Sequence, residues 1–195
     1  ILHDRSFLQP AFSGVLALAC LFSYITASSF VFIDYFQLSP GQYSWIFGLN
    51  AVGIIGSSQL NRRLLKSFKP QQIMGPVFHL VLVISLILAL SAWTGFAGLW
   101  GVTIPLWLLL ASLGLTMPNT TASALAHQTG KTGSASSLLG VLQYAIAALA
   151  SLGVGYLTDH WHNQAASMAT AMLIACILAW ILHRLLKSKD NTIPD

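Results

Sequence analysis

The chain has 195 residues, of which 55% are hydrophobic and only 7% are charged, with a formal net charge of +4 and a mean hydropathy of +0.72. A soluble domain carries about 25% charged residues, so this composition excludes a water-soluble globule and indicates a protein embedded in a lipid bilayer. The basic residues form short clusters between long apolar runs, which excludes the continuous basic face of a nucleic-acid-binding protein.

Six apolar segments are long enough to cross a bilayer, which takes a helix of about 20 residues. In chain order they cover residues 7–33, 40–60, 73–93, 100–126, 133–158 and 163–185, and together they predict a single transmembrane domain followed by a tail at 186–195. Ser39 before Pro40, with Gln42 three residues after the serine, is typical of a capped helix start. Pro118 removes a backbone hydrogen bond to the carbonyl of Gly114, which predicts a kink in the fourth segment.

The loops between these segments differ sharply in charge. All nine basic residues fall before the first segment, between the second and third, between the fourth and fifth, or after the sixth: Arg5, Arg62, Arg63, Lys66, Lys69, Lys131, Arg184, Lys187 and Lys189. The charged residues of the other loops are Asp34 and Asp159. The positive-inside rule therefore predicts that both termini and the tail are cytoplasmic. Because the chain opens at Ile1 without a signal-peptide pattern, we expect the C-terminal part of a longer protein or a truncated product.

Polar side chains are concentrated in four of the six segments. The third and sixth are nearly pure hydrocarbon, whereas the others contain amides, tyrosines and many hydroxyl groups. The order polar, polar, apolar thus occurs twice, and two three-helix units must run in opposite senses. This pattern predicts an all-α membrane protein with an inverted repeat of three plus three helices, as in one half of a major facilitator transporter. The third helix of each unit is expected to face lipid, because polar groups are costly there.

The polar residues of the first, second, fourth and fifth segments are the candidates for contacts with a transported molecule. We take the tyrosines and amides Tyr24, Asn50, Asn119, Gln143 and Tyr144 as candidate substrate-binding residues. Helix packing is the other role of polar side chains in membrane helices, and it is the more common one.

Three stretches resemble the second half of the Bcr/CflA drug-resistance transporters, a family of the major facilitator superfamily. They are FIDYFQLSPGQYSWIFGLNAVGII at 32–55, GLTMPNTTASALA at 114–126 and GSASSLLGVLQ at 133–143. The resemblance implies the C-terminal six helices of a twelve-helix exporter in the bacterial inner membrane, which exchanges protons for apolar or amphipathic drugs. It also implies that the proton-coupling acids lie in an N-terminal half. Asn61 stands where the loop between the second and third helices carries an acid in the superfamily.

The middle of the segments contains no Asp, Glu, Lys or Arg, so we expect protons to be coupled through the missing half. We interpret His79, inside the third segment, as a neutral packed imidazole rather than a proton relay, and Cys20 and Cys176 as reduced thiols. The short loop with Asp159, His160 and His162 is interpreted as a solvated turn rather than a metal site, and no cofactor is expected. An inert truncated remnant remains the alternative function. An intramembrane enzyme is less favoured, because its usual motifs are missing.

Overall fold

The computed structural model describes residues 5–126, 128 and 130–185, and every regular element in these ranges is a helix. The predicted tail at 186–195, with Lys187 and Lys189, lies outside the described residues. The helices are α1 (Arg5–Ser29), which continues as a π-helical segment (Phe30–Tyr35), α2 (Pro40–Leu64), α3 (Pro70–Thr94), α4 (Gly98–Ala111), α5 (Leu113–Leu125), α6 (Thr132–His160) and α7 (Gln164–Leu185).

The start of α2 has the cap that the sequence predicts. The backbone N–H of Ser39 donates to Gln42 Oε1 at 2.9 Å, and the backbone N–H of Gln42 donates to Ser39 Oγ at 3.3 Å. Pro40 occupies the first helical turn, where its missing N–H has no helical partner to lose. The predicted capping box is therefore confirmed.

The fourth predicted segment is broken at Ser112 into α4 and α5, earlier than the kink predicted at Pro118. The backbone N–H of Leu115 donates to the carbonyl of Ser112 at 3.0 Å, and Ser57 of α2 donates its hydroxyl to the carbonyl of Ala111. The carbonyl left free by Pro118 belongs to Gly114, and it accepts from Ser58 Oγ at 3.4 Å. Serines of the neighbouring helix thus stabilise this irregular backbone, as polar side chains do inside membranes.

Five helical segments of the described chain are long and apolar enough to cross a membrane: 7–35, 70–94, 98–125 (α4 and α5 together), 132–160 and 164–185. α2 has 25 residues, or about 37 Å of helix. It falls short in composition, because Asn50, Ser57, Ser58 and Gln59 lower its hydropathy. The protein is therefore a multi-pass helical protein, and five of the six predicted spans meet this criterion.

The ends of the helices gather in two groups. Near one end, Phe7 of α1 packs with Ala124 of α5 and Ala135 of α6. The side-chain N–H of Gln9 in α1 donates to the backbone carbonyl of His183 in α7 at 3.1 Å. We call this the basic end, because all the basic residues of the described chain lie at helix ends or loops on this side. Asp34 and Asp159 lie at the opposite end, which we call the acidic end.

α1 lies at the centre of the bundle, packed against α5, α6 and α7, while α3 packs against α7 and α4. The contact between α1 and α7 includes Cys20 and Cys176, both buried and free, with their sulfur atoms 4.0 Å apart. The two thiols are therefore free, as expected, and they pack between α1 and α7. The packing leaves α2 and α6 at the periphery, where they carry most of the candidate polar residues.

Candidate substrate-binding face

Two of the candidate residues, Tyr24 of α1 and Asn50 of α2, form a direct pair. Asn50 Nδ2 donates to the hydroxyl of Tyr24 at 2.9 Å, and the two residues are only 2–3% exposed. The pair lies within an aromatic cluster, since the ring of Phe47 stacks on Tyr24 with centroids 5.8 Å apart. Tyr43 lies one turn before Phe47 on α2, and its hydroxyl is 2.8 Å from Ser28 Oγ of α1. The polar groups on this side of α1 therefore hold α2 in place.

Asn119 of α5 belongs to a second polar pair, nearer the basic end. Its Nδ2 donates to Asn61 Oδ1 of α2 at 2.7 Å and to the carbonyl of Leu115 at 2.8 Å. Both asparagines are buried, and Asn119 Oδ1 has no hydrogen-bond partner. Asn61 is eleven residues after Asn50, or about 16 Å along the helix. The two pairs therefore lie at different depths and do not form one site.

α2 packs so closely on α5 because small residues line the crossing. A Cβ atom added to Gly114 would lie 2.7 Å from the backbone nitrogen of Ser58 and closer still to the carbonyl of Ile54. α2 also lies close to α4: Gly53 of α2 faces the indole of Trp107 of α4, which donates to the carbonyl of Leu49 at 2.9 Å. Small residues let membrane helices approach until their side chains bond across the interface.

Gln143 and Tyr144 lie on α6, away from both pairs. Tyr144 is 66% exposed, and its ring meets Phe22 of α1 edge-on with centroids 6.4 Å apart. Gln143 is half-buried. The structure thus brings Tyr24 and Asn50 together on one side of α1 and places Tyr144 beside Phe22 on another side. Tyr144 is the candidate most accessible to a ligand.

α2 buries polar side chains and exposes apolar ones, the reverse of a helix in a soluble protein. Its buried residues are Asn50, Gly53 and Asn61, whereas Trp45, Val52 and Ile55 are each more than 60% exposed. The exposed side of α6 is also apolar, with Val141, Leu149, Leu152 and Tyr156 each more than 60% exposed. Water would disfavour such a surface, so α2 and α6 require lipid or another protein against them.

A cavity of about 350 Å³ opens near the acidic end. It is lined by Thr26, Phe30, Gly155, Thr158, Asp159 and Gln164. Asp159 is exposed, and its carboxylate is 3.9 Å from the ring nitrogen of His160. Within residues 5–126, 128 and 130–185, no three His, Cys, Asp or Glu side chains come together in a group that could hold a metal ion.

Sequence reasoning did not find the partners of the candidate residues. The resemblance puts Asn61 in the loop between the second and third helices, whereas the structure places it inside α2 as the partner of Asn119. Ser57 and Ser58 bond to backbone carbonyls of the fourth segment, which no local pattern reveals. One signal was present: three polar residues in succession within an apolar helix are costly unless the next helix accepts their hydrogen bonds.

No family model matches this chain. It is 26% identical over 164 residues to the uncharacterized MFS-type transporter YdgK of Bacillus subtilis, a match covering 80% of this chain and 38% of that protein. It is 25% identical over 179 residues to a bicyclomycin resistance protein homolog of Haemophilus influenzae, covering 92% of this chain and 44% of the relative. The chain therefore spans less than half the length of these two relatives. Both similarities confirm its resemblance to the Bcr/CflA-like transporters of the major facilitator superfamily, and they are consistent with one half of such a protein.

Proposed function

We propose that this chain is the C-terminal half of a multidrug efflux transporter, which in its complete form exports drugs across the bacterial inner membrane in exchange for protons. The observation that carries the proposal is the surface of α2 and α6. Both helices expose long apolar surfaces, and α2 turns its amides towards α1 and α5. A second half of similar size would cover such helices, because these transporters place the substrate between two six-helix halves.

The proposed architecture has six membrane spans, with α2 as the sixth member and α4 and α5 together forming one span. The basic end faces the cytoplasm, and both termini lie there. α2 is supported as a span by its 25 residues and its apolar outer side, although its mean hydropathy is the lowest of the six. The order of polar and apolar spans supports an inverted repeat, with α3 and α7 towards lipid.

The proposed substrate face includes Tyr24, Asn50, Asn119, Gln143 and Tyr144. Tyr144 and its neighbour Phe22 are the most direct candidates, because Tyr144 is exposed beside an aromatic ring of the central helix. The buried pairs would shape the wall of the cavity and would contact a drug only where the helices separate during transport. Apolar and amphipathic drugs fit a wall that is mostly aromatic and aliphatic, with few polar groups.

Proton coupling is assigned to the other half of the transporter. In the described chain, the carboxylates are Asp34 and Asp159, and both are exposed at the acidic end. A coupling acid must titrate inside the membrane, where its charge responds to the substrate and to the open side of the protein. The six helices would therefore supply one wall of the binding cavity and one moving body.

Two other functions are weighed against this one. An inert remnant of a transporter would have the same fold, so only activity separates the two. An intramembrane enzyme is disfavoured, because one relative is named an MFS-type transporter and the other a bicyclomycin resistance protein homolog.

The test is drug efflux in bacterial cells that lack their own exporters. The chain is expressed alone or together with a matching N-terminal half, and loss of a fluorescent lipophilic dye is followed with and without a protonophore. We expect proton-dependent efflux only when both halves are present. Efflux by the chain alone would contradict the half-transporter proposal, and no efflux with a matching half would favour the remnant.

A pair of matched variants tests the proposed face in the two-half experiment. Tyr144→Ala should lower efflux, because it removes an exposed ring beside Phe22. Tyr156→Ala is the control, since Tyr156 lies on the same helix with nearly the same exposure, 64% against 66%. Equal effects of the two changes would remove the reason to place a substrate at Tyr144.

A further inference from the structure

Arg184 has an unusual position for an arginine at the end of a membrane helix. It lies in the last turn of α7, yet its guanidinium extends back over the ring of Trp180, 4.7 Å from the ring centroid. One guanidinium nitrogen, Nη2, lies 3.2 Å from His79 Nε2 of α3. Side chains on a helix lean towards its N-terminus, so this charge points towards the membrane interior. Arginines at helix ends more often extend outward to water.

His79 accepts a hydrogen bond from Arg184 but brings no negative charge to balance the guanidinium. Its Nδ1 lies 2.8 Å from the carbonyl oxygen of Gly75, which only accepts, so Nδ1 carries the hydrogen. Nε2 therefore presents its lone pair to Arg184, as in a neutral imidazole. The imidazole of His79 is exposed on α3, and its ring meets Trp180 of α7 edge-on with centroids 5.9 Å apart.

The described residues offer this arginine no carboxylate. The two carboxylates of residues 5–126, 128 and 130–185, Asp34 and Asp159, both lie at the acidic end of the bundle, where Asp159 pairs with His160. The surface of α3 beyond His79 is apolar, with exposed side chains at Leu80, Val83, Leu86, Ile87 and Leu90. A guanidinium next to such a surface in a bilayer is costly unless an anion compensates it.

We propose that Arg184, Trp180 and His79 form a binding site for the phosphate group of an anionic phospholipid, whose acyl chain lies along the exposed apolar side of α3. The guanidinium can donate two parallel hydrogen bonds to phosphate oxygens while it remains stacked on the indole. His79 accepts a hydrogen bond from Nη2 and so holds the guanidinium group in place. Basic sites between membrane helices near the headgroup level bind anionic lipids in this way. The proposal requires a bilayer around α3 and α7, and it does not require transport.

The test measures lipid retention by the purified chain in detergent. Phosphatidylglycerol and phosphatidylcholine with identical acyl chains are added, and the bound lipid is counted by native mass spectrometry. We expect preferential retention of phosphatidylglycerol. Arg184→Gln should weaken its binding about tenfold, the effect of losing a charge-assisted hydrogen bond outside water. His79→Gln should weaken it less, because the guanidinium remains.

Arg63→Gln is the matched control, because Arg63 is exposed near the same end on α2 and has no aromatic or histidine partner in the described chain. We expect it to change binding less than about twofold, because no ring or histidine holds its guanidinium in one position and its charge is screened by salt. Circular dichroism of each variant checks that the helices are retained; Arg184 is exposed, so its loss should leave them intact. Equal binding of both lipids, or equal loss in the two arginine variants, would overturn the proposal. A further arm measures thermal unfolding of the chain with inorganic phosphate or with phosphatidylglycerol, which separates a lipid site from a simple anion site. An equal rise in Tm with phosphate alone would also overturn the proposal.

Discussion

The crossing of α2 and α5 at Gly114 should be the point of the bundle least tolerant of added volume. An alanine Cβ at this position would lie 2.7 Å from the backbone nitrogen of Ser58 and nearer to the carbonyl of Ile54. Ordinary contact needs about 3.5 Å, so α2 would have to retreat by roughly 1 Å. The obstructing atoms are mostly backbone, so a change of side-chain rotamer does not relieve the clash.

A retreat of this size would also weaken the hydrogen bonds between the two helices. Ser58 bonds to the carbonyl of Gly114 at 3.4 Å, so it has little length to spare, and the bond between Asn119 and Asn61 at 2.7 Å would stretch beyond a useful distance. Overpacking costs about 1–3 kcal/mol, and each interhelical hydrogen bond in a membrane protein contributes about 0.6 kcal/mol. We therefore expect Gly114→Ala to lower the free energy of unfolding by about 2–4 kcal/mol.

The assay is thermal unfolding of the purified chain in detergent, followed by circular dichroism. At roughly 2–4 °C per kcal/mol for a chain of this size, Tm should fall by about 4–16 °C. Gly53→Ala should cost less, because its closest neighbour is the movable indole of Trp107. Gly56→Ala, on α2, is the control: no atom lies within 4 Å of its added Cβ, and alanine is the better helix former. If Gly114→Ala unfolds at the same temperature as Gly56→Ala, the close approach of α2 and α5 is wrong.

Two further predictions concern orientation and the Tyr24–Asn50 pair. Single cysteines placed at Gly98 and His162 should react with a membrane-impermeant maleimide added outside cells, whereas one at Ser67 should not; reaction at Ser67 would reverse the proposed orientation. Tyr24→Phe should lower the free energy of unfolding by about 1 kcal/mol, because it leaves Asn50 Nδ2 buried without its acceptor. Phenylalanine in place of the exposed Tyr144 is the control for the lost hydroxyl, and an equal loss of stability in both variants would show that the buried hydrogen bond is not its source.

The sequence by itself determined the membrane setting, because a chain with 7% charged residues has too few charges to cover a soluble fold. Local chemistry also determined the helix start at Pro40, where the cap depends on side chains three residues apart. The resemblance to drug-resistance transporters could be recognised from short stretches, since these follow the order of residues along the chain. The similarity to the two relatives rests on the same order of residues.

Only the tertiary structure decided which polar residues meet. Asn50 and Asn119 look alike in the sequence, but the first bonds to Tyr24 across 26 residues and the second to Asn61 across 58. The break of the fourth segment at Ser112 likewise depends on Ser57 of another helix, which bonds to the carbonyl of Ala111. Helix formation depends on neighbouring residues, whereas the pairing of buried polar groups depends on how helices cross. The charge of Arg184 beside His79 has the same origin, because 105 residues separate the two side chains and only the packing of α3 on α7 brings them together.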